Sequence, residues 1–191
     1  YKSSDNFLVF GGFDGSPGAG VEVVQFRADY RARRQFVNRN SLELNASVMG
    51  SPGELGGSNS TSVFQDFRPG AEASYLYGRA RAVWTQRLPG AWTLRARGQF
   101  QVGSGALLPT EQLSLGGHAT VRGFEERDFL ADRGYLLSAE VRTPPVSLPT
   151  GEHFPVQIQF LGFLDHGGGW RDEITPGRED QESLTSVGAG L

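Results

Sequence analysis

Leu113-Ser114-Leu115-Gly116-Gly117-His118-Ala119-Thr120-Val121-Arg122-Gly123-Phe124-Glu125-Glu126-Arg127-Asp128-Phe129-Leu130-Ala131-Asp132-Arg133-Gly134 breaks the pattern of the chain around it. On both sides apolar and polar residues alternate over strand lengths, whereas this stretch is long and mixed. A connection of this size inside a compact domain is either functional or disordered. Leu113, Leu115, Val121, Phe124, Phe129 and Leu130 argue against disorder, because they supply apolar groups that need a surface to lie against. The stretch is expected to fold back onto the rest of the chain.

Outward from it, the period is two and no helix is expected. About eight strand-length segments can be read this way. The first is the apolar run 7–13, closed by Asp14-Gly15-Ser16-Pro17-Gly18. Segments 21–34 and 41–50 alternate next, and 51–70, rich in Gly, Ser, Pro and Asn, reads as a surface loop. In 72–88 the even positions Leu76, Gly78, Ala80, Ala82 and Trp84 are small or apolar, and after Pro89-Gly90 the even positions Trp92, Leu94, Ala96, Gly98 and Phe100 repeat this. Matching even faces across an antiparallel hairpin requires a loop with an odd number of residues, since a slip of one sets apolar against polar. Beyond the long stretch, Tyr135, Leu137, Ala139 and Val141 alternate with Ser138, Glu140 and Arg142. Val156, Ile158, Phe160 and Gly162 then share one face, with Gln157, Gln159 and Asp165 on the other. A connection over 167–183 leads to a last segment, 184–191.

Connections alternate between shorter and longer, the longest being 104–133. Outer-membrane barrels show this asymmetry of short periplasmic turns and long external loops, and soluble sandwiches have no reason to. The small residues on the apolar face would fill a core poorly but suit lipid tails. Tyr30, Trp84 and Trp92 share the apolar parity and are expected in one outer band near the short turns. The opposite parity carries Arg27, Arg31, Arg79, Arg81, Arg87, Arg95 and Arg97, so the lumen wall is expected to be cationic. A soluble β-sandwich would alternate in the same way. A closed barrel of only eight strands is excluded, because its own side chains fill it and leave no room for a long loop and inward arginines.

The 191 residues carry a net charge of −3, no Cys, three His and 27 Gly, with a mean hydropathy of −0.34. Without Cys there is neither a disulfide framework nor a thiolate metal site. The weak charge gives no sign of a nucleic-acid partner, and no run approaches the roughly 18 apolar residues of a membrane helix. His118, His153 and His166 lack metal-ligand spacing, and no nucleophile-elbow motif is present. The chain is therefore expected to be no enzyme and to use no metal or cofactor. Asn45-Ala46-Ser47 and Asn59-Ser60-Thr61 fit the glycosylation pattern. Arg122-Gly123-Phe124 also opens an RNA-binding sheet signature, but Glu125-Glu126 replace its stacking residues.

Four motifs in order carry a resemblance. Leu108-Pro109-Thr110-Glu111-Gln112-Leu113-Ser114-Leu115-Gly116-Gly117, Val121-Arg122-Gly123-Phe124, Ser138-Ala139-Glu140-Val141-Arg142-Thr143-Pro144 and Phe163-Leu164-Asp165-His166-Gly167 together resemble the C-terminal barrel of the haemolysin secretion/activation family. These are two-partner secretion transporters, relatives of the outer-membrane assembly proteins that carry POTRA domains. The resemblance covers about residues 107–191; earlier residues match it only in strand rhythm.

The resemblance implies an all-β fold: a C-terminal fragment of an antiparallel transmembrane barrel of about sixteen strands. All of 1–191 is then one partial barrel domain with loop 104–133 folded inward, and POTRA domains and the final strands are absent. The loop tip is Val121, Arg122, Gly123 and Phe124, with Asp165 and Glu140 as wall partners of Arg122. Arg79, Arg81, Arg95 and Arg97 line the cationic lumen. The implied function is secretion of a large, unfolded exoprotein client by a monomeric barrel in the bacterial outer membrane. The lipid bilayer is the other partner, and no nucleic acid is involved. Assembly of other barrels and passive porin action are the alternatives.

The two wall residues fix a register test. If Arg122 reaches both, Glu140 and Asp165 lie nearly level, the turn centres between Glu152 and His153, and the strand from Gly134 continues past Pro144-Pro145 with a bulge or break. If the turn begins at Thr143, the two carboxylates separate by roughly 25 Å along the strand, and Arg122 holds only Asp165.

Overall fold

The structure is a computed structural model and describes residues 2–6, 21–54, 59–148, 156–172 and 179–191. The apolar run 7–13 and the turn after it lie outside the described residues. The elements are β1 (Lys2–Asn6), β2 (Val21–Gln35), β3 (Ser41–Pro52), α1 (Thr61–Phe67), β4 (Ser74–Arg87), β5 (Thr93–Gly103), β6 (Leu113–Leu115), β7 (Phe129–Ala131), β8 (Arg133–Arg142), β9 (Val146–Leu148), β10 (Val156–Ile158), β11 (Leu161–Trp170) and β12 (Gln181–Gly190). Eight strands form one open antiparallel sheet in the order β1-β2-β3-β4-β5-β8-β11-β12, while β6-β7 and β9-β10 are separate two-stranded ladders. The fold is all-β, and its meander of neighbouring strands is that of a barrel wall not closed on itself.

Register follows the apolar alternation. Trp84 pairs with Ala96 and Ala80 with Phe100, so even residues meet even residues across β4 and β5. The ladder closes with Leu88 N–H donating to Trp92 O at 2.9 Å. Parity switches at β8, where Arg97 pairs with Ser138, and switches back at β11, where Ser138 pairs with Asp165. Cross-strand partners share a face. One face therefore carries odd residues of β2 to β5, even residues of β8, odd residues of β11 and even residues of β12.

The other face leaves its large apolar side chains exposed, including Phe26, Tyr30, Val48, Leu76, Phe100 and Leu164. Water does not tolerate so continuous an apolar surface on a monomer, and lipid does. The soluble-sandwich reading fails here, because a sandwich would bury this face. Among the described residues no helix is long and apolar enough to cross a membrane, which says nothing of strands. Tyr30, Trp84 and Trp92 do not form a single row of the ladder. Tyr30 pairs with Ala46, which pairs with Ala80, and Trp84 lies four residues further along β4. Phe36 is the aromatic beside Trp84, with ring centroids 5.3 Å apart.

Two segments depart from the strand-and-loop reading. Within 51–70, α1 forms where Ser60, in extended conformation, caps the helix by accepting Val63 N–H. Val63, Phe64 and Phe67 make its apolar stripe, and Phe64 is fully buried against Met49, Tyr75, Tyr77, Leu107 and Leu108. The expected connection over 167–183 is strand as far as Trp170. A loop lying on β11 leaves no room for side chains there: a Cβ on Gly167 would come within 2.9 Å of Leu136 and 3.1 Å of Val121, and one on Gly169 within 2.5 Å of Ala131.

At the opposite end, the β8–β11 ladder has its midpoint one residue earlier than the expected register. Thr143 N–H still donates to Phe160 O at 2.9 Å, whereas Val146 pairs with Ile158. Pro144 and Pro145 therefore oppose Gln159 alone. This is a bulge, placed where proline has no N–H to give a ladder.

Candidate functional site: the plug loop and its wall contacts

Residues 104–132 lie on the odd face of β11, against β5, β8 and β12. The antiparallel pair β6-β7 holds the two limbs of the loop together, Leu115 opposite Phe129 and Leu113 opposite Ala131. Leu113, Leu115, Val121, Phe129 and Ala131 are buried together with Leu136 of β8 and Leu184 of β12, and Phe124 packs at their edge. The apolar groups of the loop thus find their surface on the wall itself.

The tip is shaped by Gly123, whose φ of +90° is left-handed and whose missing Cβ faces open space. Glycine is required there by conformation alone and not by crowding. The turn directs Arg122 at the wall. Its Nε donates to Asp165 Oδ2 at 2.6 Å and its Nη2 to Asp165 Oδ1 at 2.8 Å. The Arg122 backbone N–H adds a third bond to Asp165 at 3.2 Å, and Nη1 reaches Glu140 Oε2 at 2.8 Å. Ser138 Oγ donates to Asp165 at 2.6 Å. The guanidinium lies over the Phe163 ring, 3.5 Å from its centroid. Asp165 is 0% exposed, so its charge is sustained by these donors and not by water.

The register explains why both carboxylates are within reach. Phe163 pairs with Glu140 and Asp165 with Ser138, so the two acids lie two residues apart on neighbouring strands. Arg142 Nε donates to the second oxygen of Glu140 at 2.6 Å. Beneath the tip a hollow of about 200 Å³ is lined by Arg95, Arg97, His118, Arg122, Glu140 and Arg142.

The arginines of this face divide into two sets. Arg79 and Arg97 hold the plug backbone: Arg79 Nη2 donates to Glu111 O at 3.4 Å and Arg97 Nη2 to Thr120 O at 3.3 Å. Arg95 borders the hollow below the tip, while Arg81 lines a second one of about 360 Å³ with Arg27, Arg31 and Arg79.

Three anchors escaped sequence reasoning. Glu111, on the limb entering the plug, accepts from Gln25 Nε2 at 3.1 Å and, in a short bond, from the Tyr77 hydroxyl. Gln101 Nε2 donates to Glu111 O at 3.0 Å. Asp132, at the root of the limb leaving it, is fully buried and takes the Arg68 guanidinium in two parallel bonds of 2.6 and 2.7 Å. The third is the glycine run 167–169 that admits the plug. Among the described residues no group of three or more His, Cys, Asp or Glu could hold a metal ion.

A loop pinned by its tip arginine to an acidic wall is the arrangement that the Val-Arg-Gly-Phe and Phe-Leu-Asp motifs imply. The family model for "Haemolysin secretion/activation protein ShlB/FhaC/HecB" matches residues 23–191. The chain belongs to this family. A ShlB/FhaC/HecB protein is a two-partner secretion transporter of the outer membrane, and the exposed apolar face suits that setting. The match includes β2 to β5, which the motifs alone did not reach. Neither the curated proteins nor the solved structures contain a match to the chain.

Proposed function

We propose that this chain is part of a loop-plugged barrel that secretes a large, unfolded exoprotein across the bacterial outer membrane. The observation that carries the reading is the Arg122 fork on the fully buried Asp165, with Glu140 as a second acceptor. It fixes the tip of a long loop deep on the face opposite the lipid-suited one. A passive pore has no use for such a plug. A barrel that opens only for a client needs one, held by contacts strong enough to keep it shut and confined enough to be broken together. A barrel of about sixteen strands has the width for this plug and for an extended chain once the plug moves.

Residues 1–191 form part of one barrel domain, and the barrel acts as a monomer in the bilayer. Arg81 and Arg95, bordering the hollows on the plug's face, offer cationic contacts along the client's path. The reading is tested with the full-length protein in planar bilayers and in secreting cells. The wild type should be mostly closed, deletion of 104–132 should give steady conductance, and Arg122→Ala should leave the barrel folded while secretion falls. Steady conductance of the wild type would make the protein a porin. Lost insertion of other barrels with secretion intact would make it an assembly factor.

A further inference from the structure

The tip contact is one end of a plug that is also fastened at its root. Asp132 N–H donates to Trp170 O at 2.9 Å, so the root lies five residues along β11 from Asp165, roughly 17 Å away. There the Asp132 carboxylate is 0% exposed and gathers donors from three separate stretches of chain. Arg68, at the C-terminal end of α1, supplies the two-pronged contact at 2.6 and 2.7 Å. Leu107 N–H donates at 2.8 Å and Gln112 Nε2 at 3.1 Å from the plug's entering limb. Asp172 N–H donates at 2.9 Å from the connection after β11. Arg68 also donates to Leu107 O in a short bond.

The connections containing Arg68, Asp132 and Asp172 leave β3, β5 and β11, and all emerge at the same end of the sheet. One carboxylate thus joins three external loops where the plug enters. We propose that Asp132 and Arg68 are positioning residues for transport: they hold the plug's root at the barrel mouth, so that opening requires this contact to break in addition to the one at Arg122. The inference rests on the plugged-pore reading. Its physical basis is that each plug limb has its own hold on the mouth: Leu107 and Gln112 bind Asp132 from the entering side, and Asp132 is itself the last residue of the leaving side. Losing the carboxylate removes the one side-chain contact that both limbs share with Arg68 and Asp172, while Arg122 still pins the tip. Removing Arg68 strips the buried Asp132 charge of its two-pronged donor, which makes the pair a sensitive site.

The experiment measures open probability per folded channel for the full-length protein in planar bilayers, with folded pores counted by heat-modifiable migration. Asp132→Asn and Arg68→Gln should each raise open probability about tenfold or more. Arg68→Lys, which keeps a cation but loses the fork, should recover part of the closure. A residue that merely supports the fold would lower the folded fraction and leave each remaining channel closed as in the wild type. If both variants stay closed while deletion of 104–132 conducts, the root contact has no part in gating and the plugged pore stands. If the deletion itself changes nothing, the plugged pore and this inference fall together. Should Asp132→Asn fail to fold, Arg68→Gln and Arg68→Lys decide the matter by the same criteria.

Discussion

Replacing Arg122 with Ala removes two of the four donors that reach Asp165, those from Nε and Nη2, and leaves the Arg122 backbone N–H and Ser138 Oγ. Glu140 suffers less, because Arg142 Nε still donates to it at 2.6 Å. The cost therefore falls on Asp165, a carboxylate with no exposure of its own. Stranding a buried charge costs about 3–5 kcal/mol. The hollow beside the tip, about 200 Å³, admits water once the guanidinium is gone and favours the lower figure. At about 1.4 kcal/mol per tenfold, the closed-to-open ratio should fall roughly a hundredfold. The same reasoning fixes a double variant: Arg122→Ala with Asp165→Asn removes the stranded charge and should open less often than Arg122→Ala alone, a non-additivity expected of groups in contact. Single-channel recordings of the full-length protein measure both. Strictly additive opening by Arg122→Ala and Asp165→Asn, or an Arg122→Ala channel as closed as the wild type, would refute the account.

Gly169→Val should lift the plug from β11, since even a Cβ there would stand 2.5 Å from that of Ala131. An overpacking cost of about 1–3 kcal/mol should appear as faster protease cleavage within 104–132 in intact cells. Acid should loosen the root. Burial works against ionisation of Asp132, yet Arg68 and the Asp172 and Leu107 amides hold its carboxyl below the ordinary value. Its stabilisation is complete above the ordinary carboxylate pKa of about 4 and is lost as pH falls through the depressed one, so open probability should rise only below about pH 4 and Asp132→Asn should reduce that rise to the share contributed by the carboxylates at Arg122. On the exposed apolar face, Val48→Arg should cost about 2–4 kcal/mol in urea unfolding from lipid vesicles if it lies near the bilayer midplane, whereas Arg81→Gln on the opposite face should cost far less.

The wall was legible because its information is local. Alternation over β2 to β5 and β8 assigns each side chain to a face, and parity alone required the odd hairpin loop between β4 and β5. The pairing of Asp165 with Ser138 was within one residue of the expected turn centre because Glu140 and Asp165 both had to meet a single guanidinium. The bulge at Pro144-Pro145 was legible for a different reason, the missing N–H of proline. What stayed hidden depends on contacts between distant segments. Gly167, Gly168 and Gly169 read as a loop because glycine usually marks one, but here they mark the plug pressed against a strand. Asp132 sits in plain view beside Arg133 and Gly134, yet its partner Arg68 is 64 positions away, in a Gly- and Ser-rich region whose short helix shows only in Ser60 and the Val63, Phe64, Phe67 stripe. Tyr30, Trp84 and Trp92 share a parity, but parity says nothing of height along the wall.

The order of the contacts along the chain constrains how the molecule is made. Arg122 precedes its acceptor Asp165 by 43 positions, and the plug's apolar cluster is completed by Leu184 of β12. Neither contact exists while β11 and β12 are still unpaired, so a wall extending only as far as β8 holds the loop at its root, through Asp132 and Glu111, and near its tip through Glu140 and Arg97, but without the fork on Asp165. The loop's hold on the wall is therefore completed only when β11 and β12 are paired.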